Sequence, residues 1–171
     1  DFMAIAISEL GSISERRIER LLNPALSGMK PFLAEKPGIE SGLMIVQYTA
    51  ASVVSENKMY SHPCSVDSIP TSANQEDHVS MGGNSVRKLD VICKNLWYVL
   101  SAELLSNIYA KRFHTEKYSE LSEYFLNYFS SKLNIEFKDH PFYKDIEKIT
   151  ELLKKGEILE DIENKFFGFK I

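Results

Sequence analysis

Cysteine and tryptophan are scarce in this 171-residue chain, with two of the first and one of the second. Cys64 and Cys93 stand in unrelated contexts and match neither a disulfide framework nor a zinc-ligand spacing. They read as free thiols of a reducing cytoplasm. Long apolar runs are missing as well. The most apolar stretch, Leu43 to Val54, is 12 residues long and includes Gln47, Tyr48 and Thr49, whereas a bilayer span needs about 20. It is expected as a buried core helix. No basic segment leads into an apolar one, so no signal peptide is read. Lysine and arginine are scattered, and the net charge is −4, which argues against a nucleic-acid or anionic-membrane surface. Strand-type alternation is absent, and so is any internal repeat.

What remains is helical periodicity. Met3, Ile7, Leu10, Ile13, Ile18 and Leu21 predict a helix over about 2–22. Gly11 inside it costs about 1 kcal/mol of helix propensity relative to alanine, which points to a close helix contact or a bend. Asn23 to Gly38 carries three prolines and two glycines and is expected to be irregular. Gly42 to about Met59 is apolar nearly all round, the pattern of a helix enclosed by others. Val86, Leu89, Cys93, Leu96, Leu100, Leu104 and Ile108 fall three and four apart and predict one long helix over about 80–113. Further helices are expected over 116–133, from His140-Pro141 to Lys155 with Gly156 as the stop, and from Glu157 to about Phe167. The expected fold is all-α, a long-helix bundle forming one helical region over 1–171.

Between two of these helices lies a polar loop, residues 61–80, containing "SHPCSVDSIP" and "TSANQEDHVS". Gln75, Glu76, Asp77 and His78 stand side by side in it. Glu76 or Asp77 could cap the next helix, where negative charge favours the amino end. Two adjacent acids beside Gln75 exceed that need, so a polar pocket is plausible. His62, Cys64, Asp67 and His78 fit no regular metal pattern, and no metal site is expected. Gly82-Gly83 lacks the lysine and preceding strand of a phosphate loop, although it permits close approach by backbone or ligand. No nucleophile motif surrounds any serine or cysteine. The aromatics from Tyr118 to Phe129 sit at packing positions. "ERRIER", Glu15 to Arg20, reads as a solvated or intersubunit face.

Taken with its flanks, the loop resembles the histidine ammonia-lyase family. The matching pieces are "ELGSISERRIERLL", "LSGMKPFL", "SGLMIVQYTAASVVSENK", "HPCSVDSIPTSANQEDHVSMG" and, more loosely, "FYKDIEKITELLKKGEILEDIE". They follow the family's order and cover most of the chain. Relatives acting on phenylalanine or tyrosine typically carry Gln-Asp-Val where this chain has Gln75-Glu76-Asp77-His78, so the histidine branch is favoured. The resemblance implies elimination of ammonia from L-histidine to give trans-urocanate, in the cytoplasm, by a homotetramer whose active sites are shared among subunits. Glu76 matches the pocket glutamate expected to contact the substrate's imidazole or amino group, and is the catalytic candidate. Gln75 matches a neighbouring substrate-binding position. Asn74 and His78 are expected to support the loop.

The same resemblance exposes departures. The family's electrophile, a methylidene-imidazolone group (MIO), forms from an internal Ala-Ser-Gly, and no such tripeptide occurs here. The family's proton-abstracting tyrosine and its arginine for the substrate carboxylate belong to an amino-terminal half without a counterpart in these residues. "MGGNSVRKL" also differs from the small apolar residues usual after the Met-Gly, and Asn84 could alter the loop or the helix start. With "DFMAIAISELG" already inside an amphipathic pattern, the chain reads as the carboxy-terminal third of a lyase, inactive by itself. An aromatic amino-acid lyase or aminomutase of the same family, or a non-catalytic helical interaction module, are the alternatives.

Overall fold

The computed structural model describes residues 1–133 and 135–167. Among them seven α-helices occur and no strand longer than an isolated bridge. In chain order they are α1 (Phe2–Leu22), α2 (Pro24–Ser27), α3 (Met44–Tyr60), α4 (Gly82–Ala110), α5 (Glu120–Lys132), α6 (Tyr143–Lys155) and α7 (Glu157–Ile162), followed by a π-helical turn, Glu163–Phe167. The expected all-α, long-helix architecture is the one observed.

α4 is the axis of the fold. At 29 residues it spans about 43 Å at 1.5 Å per residue. That is shorter than the periodicity suggested, because the chain leaves the helix at Lys111 and turns through Phe113. The carboxy-terminal half of α4 is enclosed. Val99, Ala102, Leu105, Ile108, Tyr109 and Ala110 are buried and join Ile18 and Leu22 of α1, Val46, Ala50 and Val54 of α3, Phe129 of α5, Ile146 and Ile149 of α6, and Ile158 of α7 in one apolar core. Such burial contributes about 25 cal/mol per Å² of apolar surface removed from water. Ser101 and Ser106 sit in this core with their hydroxyls satisfied, one by Thr150 of α6 and the other by the Ala102 carbonyl.

α1 lies along α4, and polar contacts at the seam fix its register. Ser14 donates to the Glu103 carboxylate at 2.6 Å, and Arg17 adds a second nitrogen to the same carboxylate at 2.8 Å. Gly11 explains itself here. A Cβ at that position would stand 3.4 Å from the buried Asn57 side chain of α3 and 4.0 Å from Leu96 of α4, so the glycine marks a close approach of three helices. Asn95 of α4 donates to Asn57 across the same junction at 2.8 Å.

Helix ends follow the expected chemistry at two places. Ser119 accepts from the Ser122 amide to open α5, and Gly156 closes α6 in the left-handed conformation at φ 72°. The irregular stretch before α3 contains two departures from ordinary backbone. Phe32 and Leu33 have positive φ, and Gly42, at φ +56°, lies where any Cβ would come within 2.5 Å of the Phe32 carbonyl oxygen. The Ser41 and Gly42 amides donate to Asp139 at 2.7 and 2.9 Å, tying this stretch to the entrance of α6.

His140 stands beside that tie with an acceptor at each ring nitrogen, the Lys138 carbonyl at 2.8 Å and Asp145 at 2.6 Å. Burial alone would lower its pKa. The Asp145 carboxylate, the Lys138 carbonyl and the charge of Glu136 outweigh that and raise it. A raised folded value means that the imidazolium is favoured by folding. Its stabilisation is complete below the unfolded value of about 6.5 and is lost as pH climbs through the higher folded value. Urea unfolding at pH 6 and pH 9 is therefore expected to show a loss of stability on the alkaline side that His140→Gln largely abolishes.

Candidate functional site

The loop 61–80 runs from the end of α3 to the start of α4, and three closures shape it. At the stem, the Asp1 carboxylate accepts from the Cys64 and Ser65 amides at 3.1 and 2.9 Å, while Lys88 of α4 donates to the His62 carbonyl. At the neck, the Ser68 hydroxyl accepts from the Val79 amide at 2.8 Å and donates to the Val79 carbonyl at 3.2 Å, so one side chain replaces a pair of strand-type bonds. At the tip, Thr71 and Glu76 exchange two backbone hydrogen bonds of 3.0 and 3.3 Å.

The turn between Thr71 and Glu76 is left-handed. Ser72, Ala73 and Asn74 take φ values of 53°, 56° and 66°, and the Gln75 amide donates to the Ser72 carbonyl at 3.1 Å. Each left-handed non-glycine residue costs roughly 1–2 kcal/mol. Asparagine bears this best of the three, because its short polar side chain is enriched in the region. Three such residues in succession are a concentrated local strain of the kind found where backbone shape serves a site.

The consequence is presentation. The side chains of Asn74, Gln75, Glu76, Asp77 and His78 are all exposed, and none makes a side-chain hydrogen bond or ion pair within the described structure. The capping alternative for the acids fails on this geometry. The first amide of α4, on Gly82, donates to the Ser80 hydroxyl at 3.2 Å, and neither Glu76 nor Asp77 reaches the helix end. Two cavities lie elsewhere in the fold. One of about 490 Å³ is lined by Leu104, Tyr118, Phe125 and Leu159, and one of about 350 Å³ by Gly42, Tyr98, His140 and Phe142. Among the described residues no three histidine, cysteine or acidic side chains converge to hold a metal ion. Cys64 and Cys93 are free thiols.

Chemically, the tip offers two carboxamides, Asn74 and Gln75, and two carboxylates, Glu76 and Asp77, on consecutive residues. A carboxylate accepts from an imidazole N–H and stabilises positive charge there. A carboxamide can donate and accept at once. Sequence inspection passed over the residues that hold the loop, namely Asp1, Ser68 and Lys88. The signal was faint in each case, since their partners are backbone groups that a side-chain pattern does not display.

The fold and this loop together place the chain among known structures. Histidine ammonia-lyase from Trypanosoma cruzi superposes with a TM-score of 0.88 at 42% identity, covering 94% of this chain and 32% of that one. Tyrosine aminomutase from Streptomyces globisporus superposes with a TM-score of 0.87 at 30% identity, covering 95% and 31%. The architecture is thus that of ammonia-lyases and aminomutases. The family model described as aromatic amino acid lyase matches residues 1–131, and the chain belongs to that family. Among curated relatives, it is 48% identical over 166 residues to histidine ammonia-lyase from Caldanaerobacter subterraneus subsp. tengcongensis, covering 96% of this chain and 33% of that protein. The chain spans about a third of the length of the curated relatives it matches.

Removing the neck hydroxyl isolates the loop's dependence on it. Ser68→Ala leaves the Val79 amide and carbonyl without their protein partner, a loss of about 1–2 kcal/mol. Faster hydrogen exchange at the Val79 amide, with no change at Leu105 in α4, is the expected result by NMR.

Proposed function

We propose that these residues are the carboxy-terminal portion of a cytoplasmic histidine ammonia-lyase, acting as one helical region over 1–171 that presents Glu76 and Gln75 to L-histidine. The observation that carries this reading is the strained tip. It holds two adjacent polar side chains out of the fold with no partner of their own, in a chain nearly half identical to proteins named histidine ammonia-lyase. Elimination of ammonia to give trans-urocanate follows for the whole enzyme.

In this reading Glu76 accepts a hydrogen bond from the substrate imidazole and stabilises positive charge on it. Gln75 beside it fixes orientation with a group that keeps its neutral character at all working pH. Asn74 and His78 act through the loop's shape. The family's methylidene-imidazolone would supply the electrophile, but it derives from Ala-Ser-Gly, which these residues do not contain. They therefore do not fit as its source. The tyrosine aminomutase likeness supports the shared architecture; the stronger identity to histidine lyases favours histidine as substrate.

The reading also accounts for the surface. Phe2 is 92% and Met3 60% exposed, Ile5, Leu10 and Ile13 follow on α1, and Tyr48 and Met59 of α3 are 69% and 75% exposed. Apolar patches of several hundred Å² mark interfaces, and we assign this surface to contacts within a homotetramer and with the rest of each subunit. The isolated 171-residue chain is expected to scatter light as a species heavier than 19.5 kDa, and to form no urocanate from L-histidine. In the full-length enzyme, Glu76→Gln is expected to lower kcat/KM for histidine by roughly 10²–10³-fold, the scale of losing one polar group that stabilises charge at a reacting substrate. Unchanged turnover would remove Glu76 from the site.

A further inference from the structure

Asp1 directs its carboxylate to the amides of Cys64 and Ser65, more than sixty residues away in sequence. The side chain is only 10% exposed, and its second oxygen accepts no hydrogen bond. Lys88 Nζ lies 3.7 Å from that oxygen, on a side chain only 17% exposed that also reaches the His62 carbonyl. The start of α1, the second turn of α4 and the stem of the loop therefore meet at a single ion pair.

We propose that Asp1 and Lys88 are positioning residues for the loop, an ionic clasp that sets where Gln75 and Glu76 stand relative to the helices. Two features give the clasp leverage. Charge-assisted bonds to backbone amides are roughly twice as strong as neutral ones, and they act here on consecutive amides, fixing the direction of the chain as well as its place. Beyond the stem, the Ser68–Val79 and Thr71–Glu76 closures link the two sides of the loop, and through them a displacement at residues 62–65 reaches the tip. Neither residue touches the side chains at the tip. Their effect on substrate is exerted through the backbone alone.

That the tip faces substrate rests on the function proposed above; that Asp1 and Lys88 hold the loop does not. The test uses the full-length chain that carries these residues, with Asp1→Ala, Lys88→Met and Lys88→Arg. Hydrogen exchange is followed by mass spectrometry in peptides covering 62–80 and 96–108. Exchange across 62–80 is expected to accelerate roughly ten- to hundredfold in Asp1→Ala and Lys88→Met and to return toward the parent rate in Lys88→Arg, while 96–108 is unchanged. KM for L-histidine is expected to rise several-fold in the same two variants and to recover in Lys88→Arg. Loop exchange that does not respond, or that accelerates equally in 96–108, overturns the clasp. A loop that loosens while KM stays constant overturns its positioning role. If the parent chain turns over no histidine yet its loop responds, the proposed substrate falls and the clasp stands.

Discussion

Burial of the carboxy-terminal half of α4 is the constraint on which the rest of the molecule depends. Val99, Leu105 and Ile108 share one apolar core with residues of α1, α3, α5 and α6, so a shift of any of those helices disturbs the same core. Protein interiors are packed at crystal-like density, and a helix so enclosed has one position. The polar seam narrows the choice further. Glu103 accepts from Ser14 and Arg17, so a one-turn slide of α1 would leave a mostly buried carboxylate without its donors. Gly11, Asn57 and Asn95 impose the same condition on α3. The loop is strung between α3 and α4, and its stem is gripped from α1. Its anchor points are the end of α3 and the amino-terminal end of α4, away from the buried half, so the grip on the stem matters more there.

That grip matters because the loop does not hold itself comfortably. Three left-handed residues cost on the order of 3–6 kcal/mol together. The bonds made inside the loop, two at Thr71–Glu76, two at Ser68–Val79 and one closing the turn, contribute about 0.5–1.5 kcal/mol each net of water. The two sums nearly cancel. A loop in that balance would sample other shapes if its ends were loose, and the bonds at its stem select one of them. Strain at the tip and the grip at the stem are thus parts of one arrangement.

Much of this was legible in the residues, for physical reasons that differ from place to place. The spacing of Val86 through Ile108 could only serve a helix, and Gly156 announced the end of α6 because the left-handed stop favours glycine. Gly11 was readable as a close contact, though not as a contact with Asn57, since the partner of a gap is not written in the gap. Boundaries were less certain where the chain leaves a helix without a breaker, as at Ala110, or enters one after proline, as at Tyr143. The loop's identity was legible through the residue run Gln75 to His78. Its left-handed tip was not, because Ser72 and Ala73 carry no preference for positive φ. The clasp at Asp1 was hidden for a further reason: its partners are backbone amides more than sixty residues away, which no local pattern displays.

Under the proposed function, the exposure of Glu76 is the reason these residues alone are expected not to catalyse. A carboxylate in open water interacts with an imidazolium at 4 Å with about 1 kcal/mol, and with several times that where the effective dielectric falls to 20. The loop supplies position without low dielectric, for its tip is solvated on every side that these residues define. Desolvation has to come from whatever covers the tip. The exposed apolar side chains of α1 and α3 show where this bundle still has surface to bury, and covering them would bring other parts of the enzyme against the same helices that anchor the loop. Assembly would then bury the apolar faces and dry the carboxylate in one event, and the proposed pairing of Glu76 with substrate would depend on it.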